Sequence, residues 1–321
     1  MRRLGLVLAV GLTALIATNG YAQDYPTRTI RLIVPFAAGG AVDVLARLIA
    51  AKVADQVGQT VIIENRPGAG GTLGADAVAK AAPDGYTILQ NTNGAAIAPA
   101  LYKSLPFDAT KDFAPVTQIV ASNLVLVASP KAGIGSLKEL IAQAKAKPGA
   151  LNYGSSGLGN PLHLTMEMLK TATGINIVAV PFRGDAQIHA ALLSGEVQVA
   201  VVPLATAVPH IKEGRIRALA ITGAKRSDTI PDVPTVAEAA VPGFASSGWQ
   251  GWFMPARTPP AIVARVQAEV AKAIALPDVR KRLEAMAYEP VGSKPAQFDA
   301  YFRAEIVKFG KVIADAKIPR L

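Results

Sequence analysis

Along most of this chain, short apolar runs rich in β-branched residues alternate with stretches whose apolar residues recur at helical spacing. No other feature constrains the fold as tightly. Repeated strand–helix alternation favours parallel sheets covered by helices on both faces. Thr29–Val34, Thr60–Ile63, Tyr86–Leu89, Leu124–Ala128, Ile177–Val180, Val197–Val202 and Ala218–Thr222 read as strands. Asp43–Asp55, Thr72–Ala81, Ser136–Lys147, Leu162–Thr173 and the stretch ending at Leu193 read as helices, with Ser136 as a cap. Asn91-Thr-Asn-Gly94 reads as a polar, mobile segment, and no fixed-period repeat is visible.

Glycine turns follow several of the strands. In open α/β sheets ligands sit outside the carboxyl ends of the strands, so these turns are the first place to look for a site. The turn Pro35-Phe-Ala-Ala-Gly-Gly-Ala-Val-Asp43 joins a strand to a helix. Gly39 and Gly40 can take positive φ and leave room beside the backbone. The first helical turn leaves N–H groups without intrahelical partners, and the helix dipole adds partial positive charge, a setting that favours a phosphate or carboxylate. Asp43 can cap those same groups, so the turn by itself also fits a self-capped connection with no ligand. A second turn, Gly154-Ser-Ser-Gly-Leu-Gly159, lies about a domain further on. Two such turns in separate lobes would hold a ligand between two sets of backbone amides.

The amino terminus reads as an export signal. Met1-Arg-Arg3 is basic, Leu4 to Thr18 is apolar and uncharged, and Gly20-Tyr-Ala22 supplies small residues before a cut after Ala22. A membrane anchor is the alternative, but the apolar run falls short of the roughly 20 residues that span a bilayer. Removing 22 of 321 residues leaves 299, enough for about two domains. No cysteine is present, which excludes disulfides, thiolate metal sites and a cysteine nucleophile. The net charge of +10 is scattered, without the basic stripe and interleaved aromatics of a nucleic-acid surface. It serves solubility and mildly attracts anions.

Several segments together carry a family resemblance. They are Pro35–Asp43, Glu64-Asn-Arg-Pro-Gly-Ala-Gly-Gly71, Ala79-Lys-Ala-Ala-Pro-Asp-Gly-Tyr-Thr-Ile88, Pro106-Phe-Asp-Ala-Thr-Lys-Asp-Phe-Ala-Pro-Val116, Asn152-Tyr-Gly-Ser-Ser-Gly157 with His163, Arg215-Ile-Arg-Ala-Leu-Ala220, Pro231-Asp-Val-Pro-Thr235, and Trp249 with Pro255. In order and over essentially the whole mature chain, they resemble the Bug family, the TctC-type extracytoplasmic solute receptors of tripartite tricarboxylate transporters. The resemblance implies a two-lobed α/β type II periplasmic binding fold with two crossing hinge strands. It places the crossings near Leu124–Ala128 and Ala218–Thr222. The lobes become 23–123 plus 224–321 and 124–223. It further implies a monomer without a cofactor, which takes a small organic carboxylate to large and small membrane subunits of such a transporter.

The ligand set that the resemblance implies is Phe36, Ala38, Gly39, Gly40, Asp43 and Asn93 from one lobe. From the other come Ser155, Ser156, Gly157, Gly159, His163, Arg183 and Gly184. The chain also departs from the family pattern. Ala38-Gly-Gly40 replaces Pro-Gly-Gly, Val197–Pro203 lacks an acidic residue, and Gly184-Asp-Ala-Gln187 replaces Gly-Gly-Ala-Pro. Without an acid in that strand and with Arg183 kept, a dicarboxylate or an aromatic acid is the favoured ligand over an amino acid.

Each of these residues also has a plain structural role to fill. Arg183 fits an exposed pair with Asp185, Ser155 and Ser156 fit helix caps, His163 fits a packed helix residue, and Trp249 and Trp252 fit packing between lobes. Gly68, Gly70 and Gly74 have the wrong spacing for a dinucleotide fingerprint. A serine hydrolase is the competing enzyme class. Gly-x-Ser-x-Gly is absent, and Ser156 with His163 is at most a fragment of its machinery. No His-Glu-x-x-His arrangement suggests a metal site. A ligand-presenting partner of a two-component sensor would share the entire sequence.

Overall fold

A computed structural model describes residues 25–182 and 184–321. The export signal and Arg183 lie outside the described residues. In chain order the elements are β1 (Ile30–Val34), α1 (Ala41–Val57), β2 (Val61–Asn65), α2 (Thr72–Ala79), β3 (Thr87–Thr92), α3 (Gly94–Leu101) and β4 (Phe113–Ser122). There follow β5 (Leu124–Ala128), α4 (Leu137–Ala146), β6 (Asn152–Ser155), α5 (Pro161–Thr173), β7 (Val178–Pro181), α6 (Asp185–Ser194), β8 (Val199–Pro203), α7 (Leu204–Lys212) and β9 (Arg217–Ile221). The chain closes with α8 (Val236–Ala239), β10 (Gly248–Pro255), α9 (Pro260–Ala275), α10 (Pro277–Ala285), β11 (Tyr288–Pro290) and α11 (Pro295–Asp315).

Local chemistry sets many of these boundaries. Ser136 accepts the Glu139 amide at 3.2 Å and starts α4. Asn160 accepts the Leu162 amide at 2.9 Å, and Pro161 occupies the first turn of α5, where its missing N–H costs nothing. Thr235 and Glu238 form a reciprocal capping box on α8.

Two sheets result, each the middle layer of one lobe. The first runs β11-β4-β10-β3-β1-β2, the second β7-β6-β8-β5-β9. Side chains alternate across each strand and feed two cores per sheet. In β1, Ile30, Leu32 and Val34 join one core and Ile33 the other. In β5, Leu124, Leu126 and Ala128 face one side and Val125 and Val127 the other, which explains its unbroken apolar run.

The expectation of parallel sheets needs correction. β1 pairs parallel with β2 and β3, and β6 with β7 and β8. However, β10 runs antiparallel to β3 and β4, and β5 antiparallel to β8 and β9. The reason is topological. The chain leaves the first sheet after β4 and enters the second one residue later as β5, with no helix to reverse it, and it returns after β9 to lay down β10. A strand that arrives by direct passage between sheets enters from the hinge side, against the strands that a helical crossover delivers.

Asn91–Gly94 also differs from its expected mobile character. β3 continues through Thr92, and Asn91 and Asn93 are buried. The Asn93 amide donates to the Ser247 carbonyl at 3.1 Å and accepts the Trp249 N–H at 2.9 Å. Those partners lie more than 150 positions away, so a polar segment is held in the interior by contacts that nothing local announces. Trp252 does not pack between lobes. It sits wholly within a core of the first sheet, where its indole N–H donates to Gln90 at 2.9 Å. Trp249 belongs to a cluster that also contains Leu164 of α5.

Candidate functional site

The first glycine turn leaves β1 at the carboxyl edge of the first sheet. Gly39 has φ +80, a left-handed conformation that other residues adopt with strain. Behind the turn the Asp43 carboxylate accepts the Gly39 amide at 2.8 Å, the Asn65 side-chain amide at 2.9 Å and the Arg47 Nε at 2.8 Å. Asn65 also donates to the Phe36 carbonyl at 3.0 Å. Asp43 is therefore turned inward and braces the turn. Arg47 first, then the amide donors, holds its pKa at about 2 despite burial. Ala38, Gly39 and Gly40 are exposed.

The second turn leaves β6 at the corresponding edge of the second sheet. Gly157 and Gly159 have φ +122 and +74. The Ser155 hydroxyl is buried and accepts the Gly157 amide at 3.4 Å. His163, one turn into α5, accepts the Gly159 amide on Nδ1 at 3.4 Å. Its ring stacks on Tyr153 with centroids 6.3 Å apart. Burial pushes the His163 pKa below its ordinary value, which Glu167 partly opposes, so Nδ1 keeps its lone pair for the backbone near neutral pH. Glu167 itself accepts from Tyr153 at 2.6 Å and Lys170 at 2.7 Å. Both turns are thus supported from behind by buried side chains, and both leave backbone on the open side.

Between them lies a cleft of about 580 Å³, within the usual size of a small-molecule site. Phe36, Asn93, Ser156, Gly157 and Gly159 line it, whereas Ala38, Gly39 and Gly40 do not. Asp43, Ser155 and His163 stand behind the wall, and Gly184 is the residue before α6, with φ +140. The Ser156 hydroxyl oxygen is buried and has no hydrogen-bond partner among the described residues. A polar atom so placed calls for a ligand or solvent partner.

Sequence reasoning missed Thr92, Ser122, Gln250, Tyr288 and Asp185 as lining residues. Gln250 donates to the Tyr288 hydroxyl at 2.7 Å and accepts from Gln90 at 2.9 Å. Gln250 and Tyr288 lie on β10 and β11, far along the chain, and carry no local signal. Asp185 had one, the break in the expected turn pattern. Among the described lining residues there is no Lys or Arg, and Asp185 is the sole charged side chain. Its carboxyl is half-buried, and desolvation raises its pKa above the usual carboxylate value. An anion here would be held by amide and hydroxyl donors.

The hydrolase fragment is not assembled. The Ser156 hydroxyl makes no bond to His163, whose Nδ1 is taken by Gly159 and whose Nε2 lies 3.9 Å from Glu167. A nucleophile needs a base within hydrogen-bond reach.

Comparison with known proteins agrees with this architecture. The model of the tripartite tricarboxylate transporter family receptor, TctC, matches residues 45–318. Protein BugT of Bordetella pertussis is 37% identical over 318 residues, 98% of each chain. Among solved structures, Rpa4515 of R. palustris with adipate superposes with a TM-score of 0.76 at 37% identity, covering 93% of this chain and 100% of that one. MatC from Rhodopseudomonas palustris with bound malate gives 0.72 at 35% identity, covering 90% and 100%.

Proposed function

The chain belongs to the TctC, or Bug, family of solute-binding receptors, and from that premise we propose that it captures a small organic carboxylate between its lobes for a tripartite tricarboxylate-type transporter. It works outside the cytoplasm as a monomer, after a cut near Ala22, and hands its cargo to the large and small membrane subunits. The two bodies that close on the ligand are 23–123 plus 224–321 and 124–223. The gripping set is Phe36, Ala38, Gly39, Gly40, Asp43 and Asn93 against Ser155, Ser156, Gly157, Gly159, His163, Arg183 and Gly184. Asp43, Ser155 and His163 act by holding the turns in shape.

One observation carries this reading. The turn after β1, through Phe36 and Val42, and the turn after β6, through Ser156, Gly157 and Gly159, meet at one cleft whose described wall has no cationic side chain but has an unpartnered buried hydroxyl. Amide and hydroxyl donors of that kind suit a carboxylate. The relatives solved with adipate and malate support the same ligand class. Closure follows from differential affinity: an acid that touches both turns stabilises the closed arrangement over the open one.

Thermal unfolding against a panel of organic acids tests the reading. A ligand at 100 times its Kd adds about 2.7 kcal/mol of stability, a readable shift. If no acid moves the transition, or a bound acid is turned over, the proposal falls. Uptake of the hit acid after deletion of the neighbouring membrane genes then separates transport from sensing.

A further inference from the structure

The acid absent from Val197–Pro203 is supplied from another element. Asp185 opens α6 and lines the cleft. α5 packs on one face of the second sheet, through Met166 and Leu169, and α6 on the other, through Ile188, Ala191 and Leu192. The helix that starts from the second glycine turn and the helix that starts at Asp185 therefore flank the sheet edge from opposite sides. Asp185 and the second glycine turn line the same cleft, so one ligand can contact both.

Resting on the carboxylate reading above, we propose that Asp185 sets the ligand class: the bound acid carries a hydrogen-bond donor, an ammonium or a hydroxyl, at its far end in place of a second carboxylate. A half-buried carboxylate facing the cleft, with no cation paired to it among the described residues, repels a second carboxylate and attracts a donor. Burial already disfavours its charged form, and a ligand ammonium would restore that balance. The sequence-based preference for a dicarboxylate or an aromatic acid rested on a missing acid in one strand and on Arg183, and Asp185 removes the first of those premises.

Matched acids that differ at one end provide the test. Titration calorimetry compares succinate, 4-aminobutyrate and 4-hydroxybutyrate; adipate, 6-aminohexanoate and 6-hydroxyhexanoate; and terephthalate, 4-aminomethylbenzoate and 4-hydroxybenzoate. In at least one set, a donor-bearing acid binds tenfold or more tighter than the dicarboxylate, and the ammonium and hydroxyl arms tell the two donors apart. Asp185→Asn and Asp185→Ser shift the ratio at least tenfold toward the dicarboxylate. A carboxylate that merely stabilised the start of α6 would change the melting temperature of the free protein and leave that ratio alone. If dicarboxylates bind the unaltered protein as well as their partners do, or the ratio survives both substitutions, this inference is overturned while the carboxylate reading stands. If no acid of any set binds, both are overturned.

Discussion

The Asp43 carboxylate converts a glycine turn into a rigid one, through bonds to Gly39, Asn65 and Arg47. Its pKa falls from 3.8 to about 2 in the fold, so its stabilisation is complete above the ordinary carboxylate range and is lost as pH drops from about 4 through 2. A shift of this size is about 2 kcal/mol, and solvent screening at the exposed Arg47 side leaves roughly 1 kcal/mol. Asp43→Asn should lower the free energy of unfolding by about that much at pH 7, flatten its acid dependence below pH 4, and weaken acid binding; urea melts across pH measure this. His163 does the same work for the second turn. His163→Phe leaves the buried Gly159 amide without its acceptor, at a cost of about 1–3 kcal/mol. Ligand affinity should drop roughly tenfold in calorimetry, and His163→Gln, which keeps an acceptor, should recover part of it. Gly39 and Gly159 were visible in the sequence as turn glycines, and Arg47 stands one helical turn from Asp43. Asn65 and Tyr153 were not readable as supports, because their contacts depend on how neighbouring strands pair.

At the scale of elements, the junction between α3 and the turn before α5 decides how closely the lobes meet. A Cβ built on Gly159 would lie 2.5 Å from Leu101 Cδ2, and its φ of +74 adds backbone strain. Gly159→Ala should therefore both destabilise the fold by about 1–3 kcal/mol and weaken acid binding more than tenfold. Gly174→Ala provides the contrast. It has φ +68 but open space around it at the end of α5, so it should cost about 1 kcal/mol and leave affinity unchanged. The helical and β-branched patterns located β1, β2, β5, β7, β8, β9, α1, α2, α4, α5 and α6 closely. α3 and β4 escaped because Asn91, Asn93 and the prolines around them look like loop chemistry, and they are ordered by partners on β10 and α11. Asn93 reaches Glu305 as well as Trp249, and the Trp249 indole donates to the same Glu305 at 3.1 Å.

Over the whole molecule, the two passages between sheets run side by side. The Thr222 amide donates to the Leu124 carbonyl at 3.0 Å, and its hydroxyl to the Ser246 carbonyl at 2.6 Å. Asn123, the single residue between β4 and β5, donates to Glu289. These bonds keep the two crossings together. Trp249 lines the cleft and packs in the cluster that contains Leu164 of α5, whereas Trp252 is sealed inside the first lobe. A saturating acid should therefore change tryptophan emission through Trp249 alone. Trp249→Phe should remove the change and Trp252→Phe should leave it, as read by fluorescence titration.

What the amino-acid sequence determined by itself was local and periodic: which stretches are strands or helices, where glycine permits a tight turn, and the order of motifs that marks the family. Those features depend on neighbours a few positions apart, so they survive without knowledge of the fold. Strand direction, the inward turn of Asp43, the burial of Asn93 and the arrival of Asp185 in the cleft were decided only by the tertiary structure. Each depends on residues tens to hundreds of positions apart meeting across a sheet or between lobes, and on the dielectric that such meetings create.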